Sequence, residues 1–213
     1  MKCDKKWMPL YAVTDRAWLR GRTLFQQVEE AIRGGATCIQ LREKEMDDRG
    51  FLQEALEMKA LCSRWQVPLF INDNVEIAIA CGADGVHIGQ HDAPAADVRK
   101  RIGPDMMLGV SAQTVEQALK AQRDGADCLG VGAVFSTGTK LDADDVSFDT
   151  LKAICSAVSI PVVAIGGIKE DNIRMLAGSG IDGVAVVSAI FAAEDIEQAS
   201  RSLRDTVRRE LGV

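Results

Sequence analysis

The chain has 213 residues, 47% of them hydrophobic and 26% charged, a globular composition that excludes a disordered or fibrous chain. Its formal net charge of −6 gives no general attraction to nucleic acid or anionic lipid, so neither is expected as a partner. Glycine is frequent and aromatics reach only 5%, which favours buried parallel strands over an aromatic-rich β-sandwich.

Short apolar runs rich in Val, Ile and Leu punctuate the chain. They begin at Pro9 (PLYAVT), Cys38 (CIQLRE), Pro68 (PLFIND), Gly85 (GVHIG), Met107 (MLGVSA), Cys128 (CLGVGAV), Pro161 (PVVAIGG) and Gly183 (GVAVVSA). Continuous runs of this length fit strands buried on both faces. Amphipathic segments lie between them. Leu24 to Arg33 carries Leu24, Val28, Ala31 and Ile32 on one stripe, and Arg49 to Arg64 carries Leu52, Leu56, Lys59 and Ala60. Val115 to Arg123, Ile173 to Ala177 and Asp195 to Leu211 read as further helices. Strand alternating with helix predicts a parallel sheet with right-handed crossovers.

A weak repeat runs through the series. Gly35-Ala36-Thr37, Gly82-Ala83-Asp84, Gly125-Ala126-Asp127 and Gly180-Ile181-Asp182 precede the second, fourth, sixth and eighth strands. Each Gly suits the left-handed position that ends a helix. An every-other-strand repeat predicts a single-domain (β/α)8 barrel over 1–213, with a doubly wound open sheet as the alternative.

The six cysteines are scattered and only two histidines exist, so neither a disulfide framework nor a zinc site is expected. Free thiols point to a reducing compartment. The longest mainly apolar stretch, Gly183 to Ala193, falls short of the ~18 residues of a membrane span, and no apolar core follows the N-terminal lysines as in a secretory signal. A cytoplasmic location is expected.

In a barrel, chemistry gathers where strands end. Gln40, Arg42 and Lys44 alternate after the second run and would share one face of a strand, a set suited to an oxyanion; the alternative pairs the two cations with Glu43 or Glu45. Asn72-Asp73 ends the third run and Asp92 follows the fourth. Asp73 and Asp92 could share a Mg²⁺ ion with substrate phosphates, or Asp73 could cap the helix starting near Val75. His87 reads as a core histidine and His91 as a solvated one. Ser111 ends the fifth run, as an anion donor or a cap. Thr137, Gly138, Thr139 and Lys140 after the sixth run suit a phosphate contact, and Asp142, Asp144 and Asp145 read as a solvated loop. Gly166-Gly167 and Val187-Ser188, after the last two runs, suit a backbone phosphate cup.

Taken together, QLREK, INDN, GVHIGQHD, GVSAQT, TGTK, AIGGI and VVSAI, in this order, resemble the thiamine phosphate synthase family from Leu10 to beyond Ser188. The resemblance implies a compact (β/α)8 barrel. It implies a transferase joining 4-amino-5-hydroxymethyl-2-methylpyrimidine diphosphate to 4-methyl-5-(2-phosphoethyl)thiazole, with Mg²⁺ required and pyrophosphate released. By motif, Gln40, Arg42, Lys44, Asn72, Ser111 and Lys140 would hold the pyrimidine diphosphate, and Ser111, Lys140 and Arg42 would assist its departure. Asp73 and Asp92 would hold Mg²⁺. Thr137, Thr139, Gly167, Val187 and Ser188 would bind the thiazole phosphate. Ser136 stands where the family often has Pro, and His91 where an acidic residue is usual. A thiazole tautomerase-like isomerase and a non-catalytic thiamine-phosphate-binding barrel are the alternatives; a homo-oligomer is left open.

Overall fold

A computed structural model describes residues 3–136 and 146–213. Strands and helices alternate as β1 (Leu10–Val13), α1 (Leu24–Arg33), β2 (Cys38–Leu41), α2 (Asp48–Arg64), β3 (Leu69–Asn72), α3 (Val75–Cys81), β4 (Gly85–Ile88), α4 (Ala95–Ile102), β5 (Met107–Ala112), α5 (Val115–Arg123), β6 (Cys128–Val131), α6 (Phe148–Ala157), β7 (Val162–Ile165), β8 (Gly183–Val186), α7 (Ser188–Phe191) and α8 (Ile196–Leu211). All neighbouring strands are parallel and follow chain order. Leu10 pairs with Val184 and Tyr11 with Ala185, which joins β1 to β8 and closes the barrel. Closure excludes the open-sheet alternative and removes every edge strand.

Alternation along each strand separates two cores. Leu10 and Ala12 face the helical layer, with Ile39, Leu41, Leu69 and Ile71. Tyr11 and Val13 face the barrel interior, with Cys38, Phe70, Met107, Cys128 and Val163. Tyr11 and Phe70 stack with ring centroids 5.6 Å apart and tilted by 50°. Met8, fully buried below β1, belongs to this inner cluster, and Trp7 packs against it.

The repeat read in the sequence acts as a set of clips. Asp84, Asp127 and Asp182 each accept, through Oδ2, the backbone N–H of the first or second residue of the preceding odd strand: Leu69, Leu108 and Val162, all at 2.9 Å. Each also donates its own N–H to that residue's carbonyl. Thr37 does the same for Leu10 through Oγ1 at 2.9 Å. A side chain and a peptide together thus hold two neighbouring strands in register. A cation backs each aspartate: Lys59 on Asp84, Arg99 on Asp127 and Lys5 on Asp182. Before the clip, Gly82 takes φ +63 and closes α3 in the left-handed conformation.

Some elements differ from expectation. The second helix buries Phe51, Ala55, Met58, Leu61 and Cys62, whereas Leu56 is exposed. The stripe is rotated because Phe51 and Met58 bury more apolar surface than Leu52 and Leu56, and because Lys59 is spent on Asp84. The segment after β7 forms one 3₁₀ turn, Ile173–Leu176. The strand face foreseen for Gln40, Arg42 and Lys44 is shorter: β2 ends at Leu41, so only Gln40 lies in the strand. The described cysteines are free, and Cys38, Cys62, Cys81 and Cys128 are buried. Among the described residues no helix is long and apolar enough to cross a membrane.

Candidate active site

The C-terminal ends of the strands carry the polar residues. Gln40 is 5% exposed inside the barrel, and its Nε2 donates to the Tyr11 hydroxyl at 3.0 Å. Burial pushes Tyr11 well above the ordinary phenol range, so that hydroxyl stays neutral. Beyond Leu41 the chain is held by the β1 loop. Thr14, fully buried, accepts the Arg42 N–H through Oγ1 at 3.0 Å. The Arg42 guanidinium stands 3.6 Å from Asp15.

The bland pairing foreseen for Arg42 and Lys44 is not what forms. Glu43 is taken instead by Arg16, whose Nε is 2.8 Å from both carboxylate oxygens. Arg16 also reaches Glu54 on α2 at 2.5 Å. Lys44 lines an open cavity with Glu43, Asn72 and Asp73. Three of the residues singled out from sequence therefore meet across β2 and β3.

Asp73 does not cap the next helix. Asn74 does so, its Oδ1 accepting the Ile77 N–H at 3.0 Å. Asp73 instead adopts φ +62, a left-handed conformation that costs a non-glycine residue about 1–2 kcal/mol. Its N–H donates to the His87 carbonyl at 2.8 Å, tying the end of β3 to β4. Non-glycine residues hold such conformations where the surrounding structure over-determines them, which is common at binding sites. Asp92 lies in the loop after β4. Its Oδ2 accepts the Gly89 N–H at 2.7 Å, while Gln90 Nε2 donates to the Ser111 carbonyl at 2.6 Å and fixes the loop to β5.

Two carboxylates from adjacent strand ends suit Mg²⁺, which takes one or two protein carboxylates and completes its shell with waters and substrate phosphates. Among the described residues no group of three or more His, Cys, Asp or Glu forms a closed metal cluster. An Asp73–Asp92 site would therefore be open and would lean on a phosphorylated ligand. The capping role now belongs to Asn74, and the strained Asp73 fits that use.

Ser111 sits on β5 with its Oγ 3.0 Å from His87 Nε2. It does not cap α5, because Thr114 accepts the Gln117 N–H in a capping box. His91 is exposed, as expected of a loop histidine.

On the far side of the barrel, Gly166 and Gly167 have φ +101 and +63. A side chain on Gly167 would press on the Phe135 and Ser136 carbonyls at 2.7 Å, so only glycine fits this approach. Asn172 Nδ2 supports the turn by donating to the Gly167 carbonyl at 2.9 Å. On the neighbouring strand, Val187 and Ser188 open the four-residue α7, whose start has no side-chain cap. Thr137, Thr139 and Lys140 lie outside the described residues, as do Asp142, Asp144 and Asp145.

Sequence reading passed over Thr14, Asp15, Arg16, Gln90 and Asn172. Thr14, Asp15, Arg16 and Gln90 act by supporting a neighbour on another strand or loop, and Asn172 by bracing Gly167 in its own loop; nothing in their local sequence marks that. The one available signal was the charge pattern of TDR beside QLREK, two segments that only parallel pairing of β1 with β2 brings together.

Residues 10–190 match the family model described as thiamine monophosphate synthase. The thiamine-phosphate synthase of Clostridium tetani is 54% identical over 194 residues, covering 91% of this chain and 93% of that one. That of Alkaliphilus oremlandii is 54% identical over 199 residues, 93% of this chain and 95% of its own. Among solved structures, the thiamine phosphate pyrophosphorylase of Pyrococcus furiosus superposes with a TM-score of 0.90 at 38% identity, covering 98% and 99% of the two chains. With the family model spanning most of the chain and close relatives matching nearly end to end, this chain belongs to the thiamine monophosphate synthase family.

Proposed function

We propose that this chain is a transferase that joins 4-amino-5-hydroxymethyl-2-methylpyrimidine diphosphate to 4-methyl-5-(2-phosphoethyl)thiazole, releasing pyrophosphate and thiamine phosphate. The observation that carries the reading is the placement of the residues it needs. Gln40, Arg42, Lys44, Asn72, Asp73 and Ser111 come from β2, β3 and β5 to one end of one closed barrel, while Gly167, Val187 and Ser188 come from the adjacent β7 and β8.

In this reading the pyrimidine diphosphate occupies the β2–β5 side. Arg42, Lys44 and Lys140 stabilise the charge that accumulates on the departing pyrophosphate. Asn72 and Gln40 orient the substrate, and Ser111 donates to a diphosphate oxygen. Asp73 and Asp92 hold Mg²⁺, which when bound neutralises diphosphate charge. The aminopyrimidine ring is electron-rich enough to support a methylene cation as the carbon–oxygen bond breaks. The thiazole nitrogen, already nucleophilic, captures that carbon, so the site needs no general base. The thiazole phosphate is held by Thr137, Thr139 and backbone N–H groups at Gly167, Val187 and Ser188. Catalysis is then mainly positioning and electrostatics.

Partners on this reading are small phosphorylated molecules, and the expected location is the cytoplasm. The test is incubation of the full chain with both substrates and Mg²⁺. Stoichiometric pyrophosphate and thiamine phosphate are expected. Binding of the thiazole phosphate without pyrophosphate release would overturn the synthase reading in favour of a tautomerase-like or binding barrel.

A further inference from the structure

The barrel interior is apolar apart from a few side chains, and one of them has had room made for it. His87 on β4 is 8% exposed. It pairs in register with Gly109 on β5, and Ser111 pairs with Gly130 on β6. A methyl group on Gly109 would overlap His87 Nδ1, and one on Gly130 would lie 3.2 Å from Cε1. Elsewhere in the interior, Phe70, Met107, Val163 and Ala185 fill the space. Two strand positions thus forgo side chains where one imidazole lies over the neighbouring β5 and β6. The ring ends at Ser111, with Nε2 and Oγ 3.0 Å apart.

We propose that His87 is a positioning residue for the reaction: its Nε2–H donates to Ser111 Oγ and leaves the hydroxyl proton for the departing diphosphate oxygen. The proposal rests on the synthase reading above. A neutral imidazole carries one N–H and one bare nitrogen. With a bare Nε2, the Ser111 proton would turn toward the ring and its oxygen lone pairs toward an anionic ligand, which would repel it. With Nε2–H, the oxygen accepts from the ring and its own proton points outward. Gln90 already pins the Ser111 backbone through its carbonyl at 2.6 Å. The hydroxyl rotor is the remaining freedom, and His87 removes it. No proton leaves His87 at any step.

Two measurements test this. The chain has just two histidines, so ¹⁵N-histidine labelling gives two resolvable rings. His87 is expected in the Nε2–H form, and Ser111→Ala is expected to move its Nε2 resonance while leaving the exposed His91 unchanged. A bare Nε2, or no response to Ser111→Ala, overturns the proposal, and this readout needs neither substrate nor turnover.

The second measurement is a kinetic cycle with both substrates and Mg²⁺. His87→Leu is expected to lower kcat by about ten- to a hundredfold with KM values little changed. His87→Gln, whose amide nitrogen can reach the same place, is expected to recover much of that loss. In Ser111→Ala, adding His87→Leu is expected to cost nothing more. Multiplying losses, or equal losses for Leu and Gln, would assign His87 a packing role only. A wild-type chain that releases no pyrophosphate overturns the synthase reading itself, while the resonance experiment still decides the His87–Ser111 bond.

Discussion

Arg16 binds Glu43 with its Nε at 2.8 Å from both carboxylate oxygens, and the Glu43 side chain is only 4% exposed. This pair decides the electrostatics of the β2 rim. Glu43 lies between Arg42 and Lys44 and would otherwise cancel one of them. With its charge taken by Arg16, Glu43 cancels neither of them: Lys44 faces the open cavity, and Arg42 stands 3.6 Å from Asp15. Arg16→Leu should leave a buried, uncompensated carboxylate and cost about 2–4 kcal/mol, less than a fully buried pair because Arg16 is a third exposed. Urea unfolding checks this. Glu43→Gln in the same background should restore part of the loss, and KM for the diphosphate substrate should rise in Arg16→Leu alone.

Asp73 offers a separation of strain from function. Asp73→Gly, which takes φ +62 without a side-chain clash, should keep the fold yet abolish Mg²⁺-dependent turnover. Asp73→Asn, tolerant of the same conformation, should keep the melting temperature and lose turnover as well. Retained activity in Asp73→Asn would remove Asp73 from the metal site. Asp92→Asn is expected to give the same kinetic defect.

The two halves of the rim should respond to different substrates. Arg42→Ala should raise KM for the pyrimidine diphosphate by about tenfold or more and leave the thiazole phosphate nearly unaffected, as expected on losing a charge-assisted contact. Ser188→Pro should do the reverse by removing a backbone donor at the start of α7. Steady-state kinetics with each substrate varied in turn distinguishes these patterns. Equal effects on both would contradict separate pockets.

The strand clips predict a graded stability series. Asp127→Ala loses an acceptor for the Leu108 N–H and leaves Arg99 without its carboxylate, so a cost of about 2–3 kcal/mol is expected. Thr37→Val removes a neutral acceptor from Leu10 and should cost about 1 kcal/mol. Thermal melts with matched denaturant titrations would rank them. The reverse order would mean that the charge adds nothing to the clip.

Alkaline stability should depend on Cys62. Burial, helped by the nearby Asp84 carboxylate, pushes this thiol up to about 12. Unfolded thiols release their proton first, so the contribution is complete below about pH 9 and is lost as pH rises through about 12. Cys62→Ala should therefore lower stability at pH 7, by leaving a small cavity, yet flatten its decline between these limits. A parallel decline in both proteins, followed by urea unfolding at each pH, would show that Cys62 does not titrate in that window.

Much was legible from the residues alone. The alternation of buried runs with amphipathic segments, and the glycine-led repeat before every second run, gave the strand positions and pointed to a barrel, because strand burial and helix termination are local physics; closure of β1 on β8 then excluded the open sheet. The motifs at the run ends named the family, since residue type and order survive translation into a string. What only the tertiary structure decided was which charges meet. Parallel pairing of β1 with β2, which packs the β1 loop against the end of β2, gave Glu43 to Arg16 rather than to its own neighbours in sequence. Parallel pairing of β4 with β5 put His87 against Ser111, and α3 took Asn74 as its cap, leaving Asp73 in a strained turn. Electrostatic and hydrogen-bond energies depend on distances across the fold, and a sequence records only distances along the chain.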